Sequence, residues 1–262
     1  MKALLFFLLA PFALADSPFL EKGGLVVIEA ESTSSRLRDW KKKTDVADFQ
    51  GECHLEFTGN KTESGPPESP LKYSFTIKKG GKYHLAIRAR KRLESKRADI
   101  SNDCYVALKG DFDTGGDAPL KLLKEDTKLY GGNPVDWGWT AKLDANHKKY
   151  SPVYLLKAGE TYELTIHGRS KNFNMDRILF VHESESLREV QKKNPAESKQ
   201  VEAGPSEPVV RELTNKNGQV VQAKLVRKIG DQIEVIVKGR RFKIPLNTLS
   251  EEDQEFLKEW NP

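Results

Sequence analysis

Glu29 and Glu31 stand two apart in the run Ile28-Glu29-Ala30-Glu31. On a strand, both side chains then point the same way. Two carboxylates on one face repel each other unless a cation or an arginine compensates. Calcium, with six to eight oxygen ligands, is one such cation. A salt bridge to Arg177 or Arg169 is the other solution. The densest basic run is Arg88-Ala89-Arg90-Lys91-Arg92 with Lys96-Arg97. It reads as a solvated strand face and loop, or as a contact for an anionic ligand through Arg90 and Arg92. Tyr130, Trp137 and Trp139 stand in a loop-rich stretch between Asp111 and Tyr150. Each is either core or an exposed ring. Gly-x-Ser-x-Gly, His-Glu-x-x-His and a Gly-rich phosphate loop are all missing, and the five His show no metal-ligand spacing. Nothing here marks an enzyme.

Strand patterns must position these groups. Gly24-Leu25-Val26-Val27-Ile28 is a β-branched run. Tyr73 to Ile77 and Tyr83 to Arg88 alternate with period two around the turn Lys79-Gly80-Gly81-Lys82, which predicts a hairpin. Cys104 to Leu108, Tyr154 to Leu156, Tyr162 to Ile166 and Arg177 to Val181 add further strands. Many short strands with turn signals and no strong helical repeat predict an all-β sandwich.

The two ends differ from this block. Met1-Lys2, the apolar run Ala3 to Ala10 and Ala13-Leu14-Ala15 read as a secretory signal peptide over residues 1–15, cleaved after Ala15. The apolar stretch is shorter than the roughly 20 residues a spanning helix needs, which argues against the alternative of a membrane anchor. A secreted or periplasmic location follows, with no membrane span elsewhere. In such a compartment Cys53 and Cys104, the two cysteines, are candidates for a disulfide; the alternative is two separately buried thiols. From residue 183 to 208, Ser, Glu, Lys, Gln and Pro replace the β-branched residues, predicting a flexible linker with a helical turn or two over Ser186 to Lys193. Residues 209–262 resume a β pattern: Val220 to Val226, Ile233 to Val237 and Arg241 to Leu246. Ser250-Glu251-Glu252-Asp253 is a helix-capping signature ahead of Phe256, Leu257 and Trp260. This predicts a small barrel with a C-terminal helix. Charged residues reach 31% and the net charge is +5, from 43 basic and 38 acidic residues. That balance gives no footprint of a nucleic-acid binder.

Residues 16–182 form the predicted sandwich domain, and within it roughly 24–182 resemble the family 6 and family 35 carbohydrate-binding modules, which are jelly-roll sandwiches. The resemblance rests on Ile28-Glu29-Ala30-Glu31, Phe49-Gln50-Gly51, Tyr83 to Arg90, Tyr105 to Gly110, Leu156 to Thr161 and Phe173-Asn174-Met175-Asp176-Arg177-Ile178, in that order. It implies that Glu29, Glu31 and Asp176 bind a structural calcium. It also implies a glycan site with Trp137 or Trp139 as the sandwiching aromatic, Phe49 where many relatives have Tyr, and a hydrogen-bonding amide from Asn172 or Asn174. The tail from 209 resembles the Sla homology domain, an SH3-like barrel. There the carriers are Arg211 to Thr214, Gly230 to Val235, Ile244-Pro245-Leu246 and Leu249 to Asp253. The expectation is a non-catalytic glycan-binding protein; the alternative is a scaffold that binds peptides or proteins through its C-terminal domain.

Overall fold

The computed structural model describes residues 17–91, 97, 99–133, 136–200 and 210–260. The predicted signal peptide, Arg92 and residues 201–208 of the predicted linker lie outside the described residues. The chain divides into two units, one within 16–201 and the other within 202–262.

The larger unit is a two-sheet sandwich, as the alternating patterns predict. Its consecutive long strands cross between sheets. Glu68–Thr76, Asp103–Lys109 and Thr161–Gly168 belong to a seven-stranded sheet. Gly81–Lys91, Val153–Leu156 and Phe173–His182 belong to an eight-stranded one. That alternation makes it a jelly roll. Inward residues of both sheets interdigitate: Phe75 meets Phe180 at 4.4 Å between ring centroids. Within the eight-stranded sheet, Trp40 meets its cross-strand partner Phe57 at 5.1 Å. All ten residues of Phe173–His182 are buried, because strands flank it on both sides and the sheet's outer face is covered as well. The covering comes from the helix Leu187–Lys193, whose Leu187 and Val190 pack with Trp139 on Val27, Leu179 and Val181. Between Asp111 and Tyr150, where periodicity is weak, the chain forms several short strands and the helix Leu120–Lys124.

The helical turns expected over Ser186 to Lys193 form, and the flexible-linker expectation is corrected for residues 194–200. Ser186 caps the Leu187–Lys193 helix by accepting from the Glu189 N–H, and Asn194 ends it in a left-handed conformation. Residues 197–200 then bind back along the free edge of the Leu25–Glu29 strand. Ser198 exchanges backbone and side-chain hydrogen bonds with Val27, and the Glu197 carboxylate accepts from the Glu29 N–H at 2.9 Å. The Lys199 carbonyl accepts from Leu20 N–H at 2.8 Å. Polar side chains thus meet backbone groups that the sheet leaves open.

The second unit is an antiparallel meander of Val210–Thr214, Val220–Ile229, Gln232–Val237 and Arg240–Pro245, followed by the helix Glu251–Glu259. An Asn215–Leu249 bridge joins its first strand to the segment before the helix. The capping signature is real: Ser250 Oγ accepts from Asp253 N–H at 3.3 Å. Asp253 is buried and also accepts from Thr214 N–H at 2.7 Å and Arg211 Nε at 3.0 Å. Leu213, Leu225, Ile233, Val235, Leu249 and Leu257 form the core.

Candidate functional site

The acid pair lies at the end of the Leu25–Glu29 strand, against the Phe173–His182 strand. Register places Glu29 opposite Arg177. Arg177 grips it through Nε to Oε2 at 3.0 Å and Nη2 to Oε1. Asp176 sits in the register shift between Met175 and Arg177, so its side chain joins the same cluster. Its Oδ1 accepts from Gln50 N–H at 2.7 Å and its Oδ2 from Arg88 Nη1 at 2.6 Å. Glu31 Oε1 accepts from the N–H groups of Glu52 and Cys53 at 2.6 and 3.1 Å. Its Oε2 is buried with no hydrogen-bond partner. Gly51 is required in this cradle: its φ is 71°, and a Cβ there would collide with Glu31 Oε1. Arg169, the other arginine considered for the pair, binds Asp103 instead.

Burial raises the pKa of all three carboxyls, and their mutual repulsion adds to it. Three acids face two guanidiniums, and the Glu197 carboxylate lies against Glu29 as well, so the cluster carries excess negative charge when fully ionised. The salt bridge to Arg177 therefore answers Glu29, and Arg88 answers Asp176. The donor set leaves room for a cation at Glu31 Oε2. Among the described residues no three His, Cys, Asp or Glu side chains converge as a metal site, so an ion there would need backbone carbonyls too.

Beside this cluster the second sheet gathers the predicted ligand residues at one end. Phe49, half-buried, lies 6.0 Å from the His54 ring, and His54 meets the edge of Trp137 at 5.3 Å. Arg88 covers the Trp137 ring at 5.3 Å. Asn174 pairs in register with Arg90 and with Glu56; its Nδ2 donates to the Asn172 carbonyl at 3.0 Å, while its Oδ1 is buried without a hydrogen-bond partner. Arg90 bridges to Asn133.

Two expectations fail here. Trp137 is only 8% exposed and donates its indole N–H to the Ala47 carbonyl at 2.8 Å. Trp139 packs against the helix-covered cluster of Leu187 and Val190. Trp137 thus serves packing, whereas Trp139 rests on that cluster with one side and, like Phe49, is only half-buried. Cys53 and Cys104 are free buried thiols. Cys104 faces the inter-sheet core, whereas Cys53 lies beside Glu31. Burial raises the pKa of both, which keeps them as unreactive thiols. Sequence reading missed His54 and Arg88 as members of the aromatic stack; a basic residue alternating with Ile87 and Ala89 was the available signal.

No family model matches the chain, and no curated protein matches it. Among solved structures it is similar to the GH26-CBM35 β-(1,4)-mannanase of Podospora anserina: 12% identity over 61% of this chain and 28% of that one, with a TM-score of 0.40. It is similar also to a family 35 carbohydrate-binding module from Clostridium thermocellum (14% identity, 60% and 98% covered, TM-score 0.37). The same values hold for a CBM35 from Paenibacillus barcinonensis. The chain thus spans less than a third of the mannanase's length.

Proposed function

We propose that the chain is an exported, non-catalytic glycan-binding protein whose sandwich holds the ligand at the Phe49 end of the second sheet. The observation that carries this reading is the gathering there of a partly open aromatic ring, Phe49, with Arg90 and with Asn174, whose buried Oδ1 lacks a partner. A sugar ring offers a C–H face to the aromatic and hydroxyls to the Arg90 guanidinium, with Asn174 buried beneath. Arg90 adds a preference for anionic glycans, and Asn172 supports the amide through its carbonyl. Calcium belongs to the proposal as a structural ion held at Glu31, with Glu29 and Asp176 nearby. It would supply the positive charge that Arg88 and Arg177 leave unmatched. In the C-terminal unit, half-buried Phe242, Phe256 and Trp260 around the core are the surface proposed for a peptide or protein partner.

The test is a glycan-array screen of the mature protein with and without chelator, repeated with Phe49→Ala. Binding that is lost in the variant supports the reading. No bound glycan, or binding indifferent to Phe49, sinks it.

A further inference from the structure

On the other sheet, away from Phe49, a cavity of about 330 Å³ opens between three chain segments. Arg38 and Asp39 come from the loop before the Trp40–Lys43 strand, and Glu68 and Ser69 from the start of the Glu68–Thr76 strand. His167 completes it from near the end of Thr161–Gly168. The register between those last two strands shifts between Ile166 and Gly168, leaving His167 at the irregularity. Such bulges re-aim side chains and recur beside functional sites. The imidazole Nδ1 stands 3.0 Å from Asp126 Oδ1.

The wall is also strained. Arg38 and Ser69 occupy the left-handed region at φ 51° and 52°, which disfavours L-residues with a Cβ and clusters at binding and active sites. Surrounding bonds enforce it at Ser69: its hydroxyl donates to Asp39 Oδ2 at 2.8 Å and its carbonyl accepts from the Trp40 indole at 2.9 Å. With the hydroxyl committed to Asp39, Ser69 is not a nucleophile for His167.

The remaining groups define the ligand. Glu68 and Asp39 accept hydrogen bonds, Arg38 donates them, the imidazole does either according to its tautomer, and proline rings at 67 and 70 offer apolar C–H surface. An anion would face two carboxylates, and a cation would face Arg38. A neutral polyol satisfies donors and acceptors together. Small-molecule sites occupy about 300–1,000 Å³, so this one suits a single ring. We propose that the cavity binds one neutral sugar residue through its hydroxyls, as a site separate from Phe49. The ligand class rests on the glycan-binding reading; the location does not.

The experiment is backbone and imidazole NMR of the full chain, titrated separately with the methyl glycosides of glucose, galactose, mannose and xylose. At least one should give saturable shifts at His167 and Ser69. Glu68→Ala removes an exposed acceptor and should weaken that binding at least tenfold. Arg38→Gly removes the guanidinium while relieving the left-handed strain, so it should fold at least as well and still lose affinity. Saturable shifts confined to Phe49 and Asn174 would keep the first site and overturn this one. Shifts confined to His167 and Ser69 would do the reverse. Silence at His167 with all four sugars, or undiminished binding in both variants, also overturns the proposal.

Discussion

Arg177 holds Glu29 from directly across the paired strands, and both side chains are almost wholly buried, at 4% and 7% exposure. The same guanidinium donates Nη1 to Asn194 Oδ1 and to the Pro195 carbonyl at 2.6 and 2.7 Å. One residue thus neutralises the acid and fastens the chain that follows the helix. Arg177→Met should strand a buried carboxylate and cost about 3–5 kcal/mol. Urea unfolding measures this, and the double variant Arg177→Met with Glu29→Gln should lose less than the sum of the singles. Additive losses would show that the pair is not coupled.

Glu31 gives a pH dependence of definite sign. Burial, the largest cause, raises its pKa above the usual 4.5. The folded state therefore binds the proton more tightly than the unfolded chain. That contribution is fully present below about 4.5 and is lost as pH rises through the folded value. Glu31→Gln keeps the acceptor for the Glu52 and Cys53 N–H groups and fixes the neutral form. Its melting temperature should fall less than that of the wild type as pH rises from 4 to 7 in chelator. Parallel curves would place the titration elsewhere.

Calcium acts in the opposite direction, since it binds the ionised carboxylate. At pH 7 calcium should raise the melting temperature and chelator should lower it, as any ligand of the folded state alone must. Glu31→Gln should abolish the difference. A wild-type melt indifferent to both additions would leave a proton, not a cation, as Glu31's partner.

The two kinds of aromatic separate by readout. Phe49→Ala should remove glycan binding with little change in stability, because the ring is partly open. Trp139→Ala should lower stability by a few kcal/mol, typical of large-to-small changes in a packed cluster, and leave glycan affinity within about twofold. The reverse pattern in isothermal titration and thermal melts would return Trp139 to the binding face.

Limited proteolysis tests the ordered part of the predicted linker. Backbone groups of Ser198 and Lys199 are hydrogen-bonded to the sandwich, so the first cuts should fall beyond Gln200. Early cleavage between Pro195 and Lys199 would mean the docked stretch opens readily in solution.

Much of this architecture could be read in the residues. Period-two runs such as Tyr73 to Ile77 identify strands because their burial alternates with their spacing. The capping box at Ser250 works for the same local reason. The hairpin expected around Lys79 to Lys82 does not form, since its two strands lie in different sheets. The salt bridge between Glu29 and Arg177 was one of two open solutions, and only register decides that Arg177 lies opposite. Trp139 packs one side against a helix some 50 positions later, a contact that local spacing does not reveal. The docked stretch at 197–200 escapes altogether. It buries no apolar periodic face, and its bonds join residues up to 171 positions apart through short polar side chains. The cavity at His167 depends on a one-residue slip of register, which no composition records.

That docked stretch also bears on solubility. The outer edge of the Leu25–Glu29 strand would otherwise present the N–H groups of Val27 and Glu29 and the Val27 carbonyl to solvent, in a row rich in β-branched residues. An open edge of that kind is a template on which a strand from another molecule can add. A sandwich cut after residue 182 would keep its core and lose this cover. The polar tail of the sandwich thereby serves as a guard against edge-to-edge aggregation, and shortening it would leave that edge open to pairing.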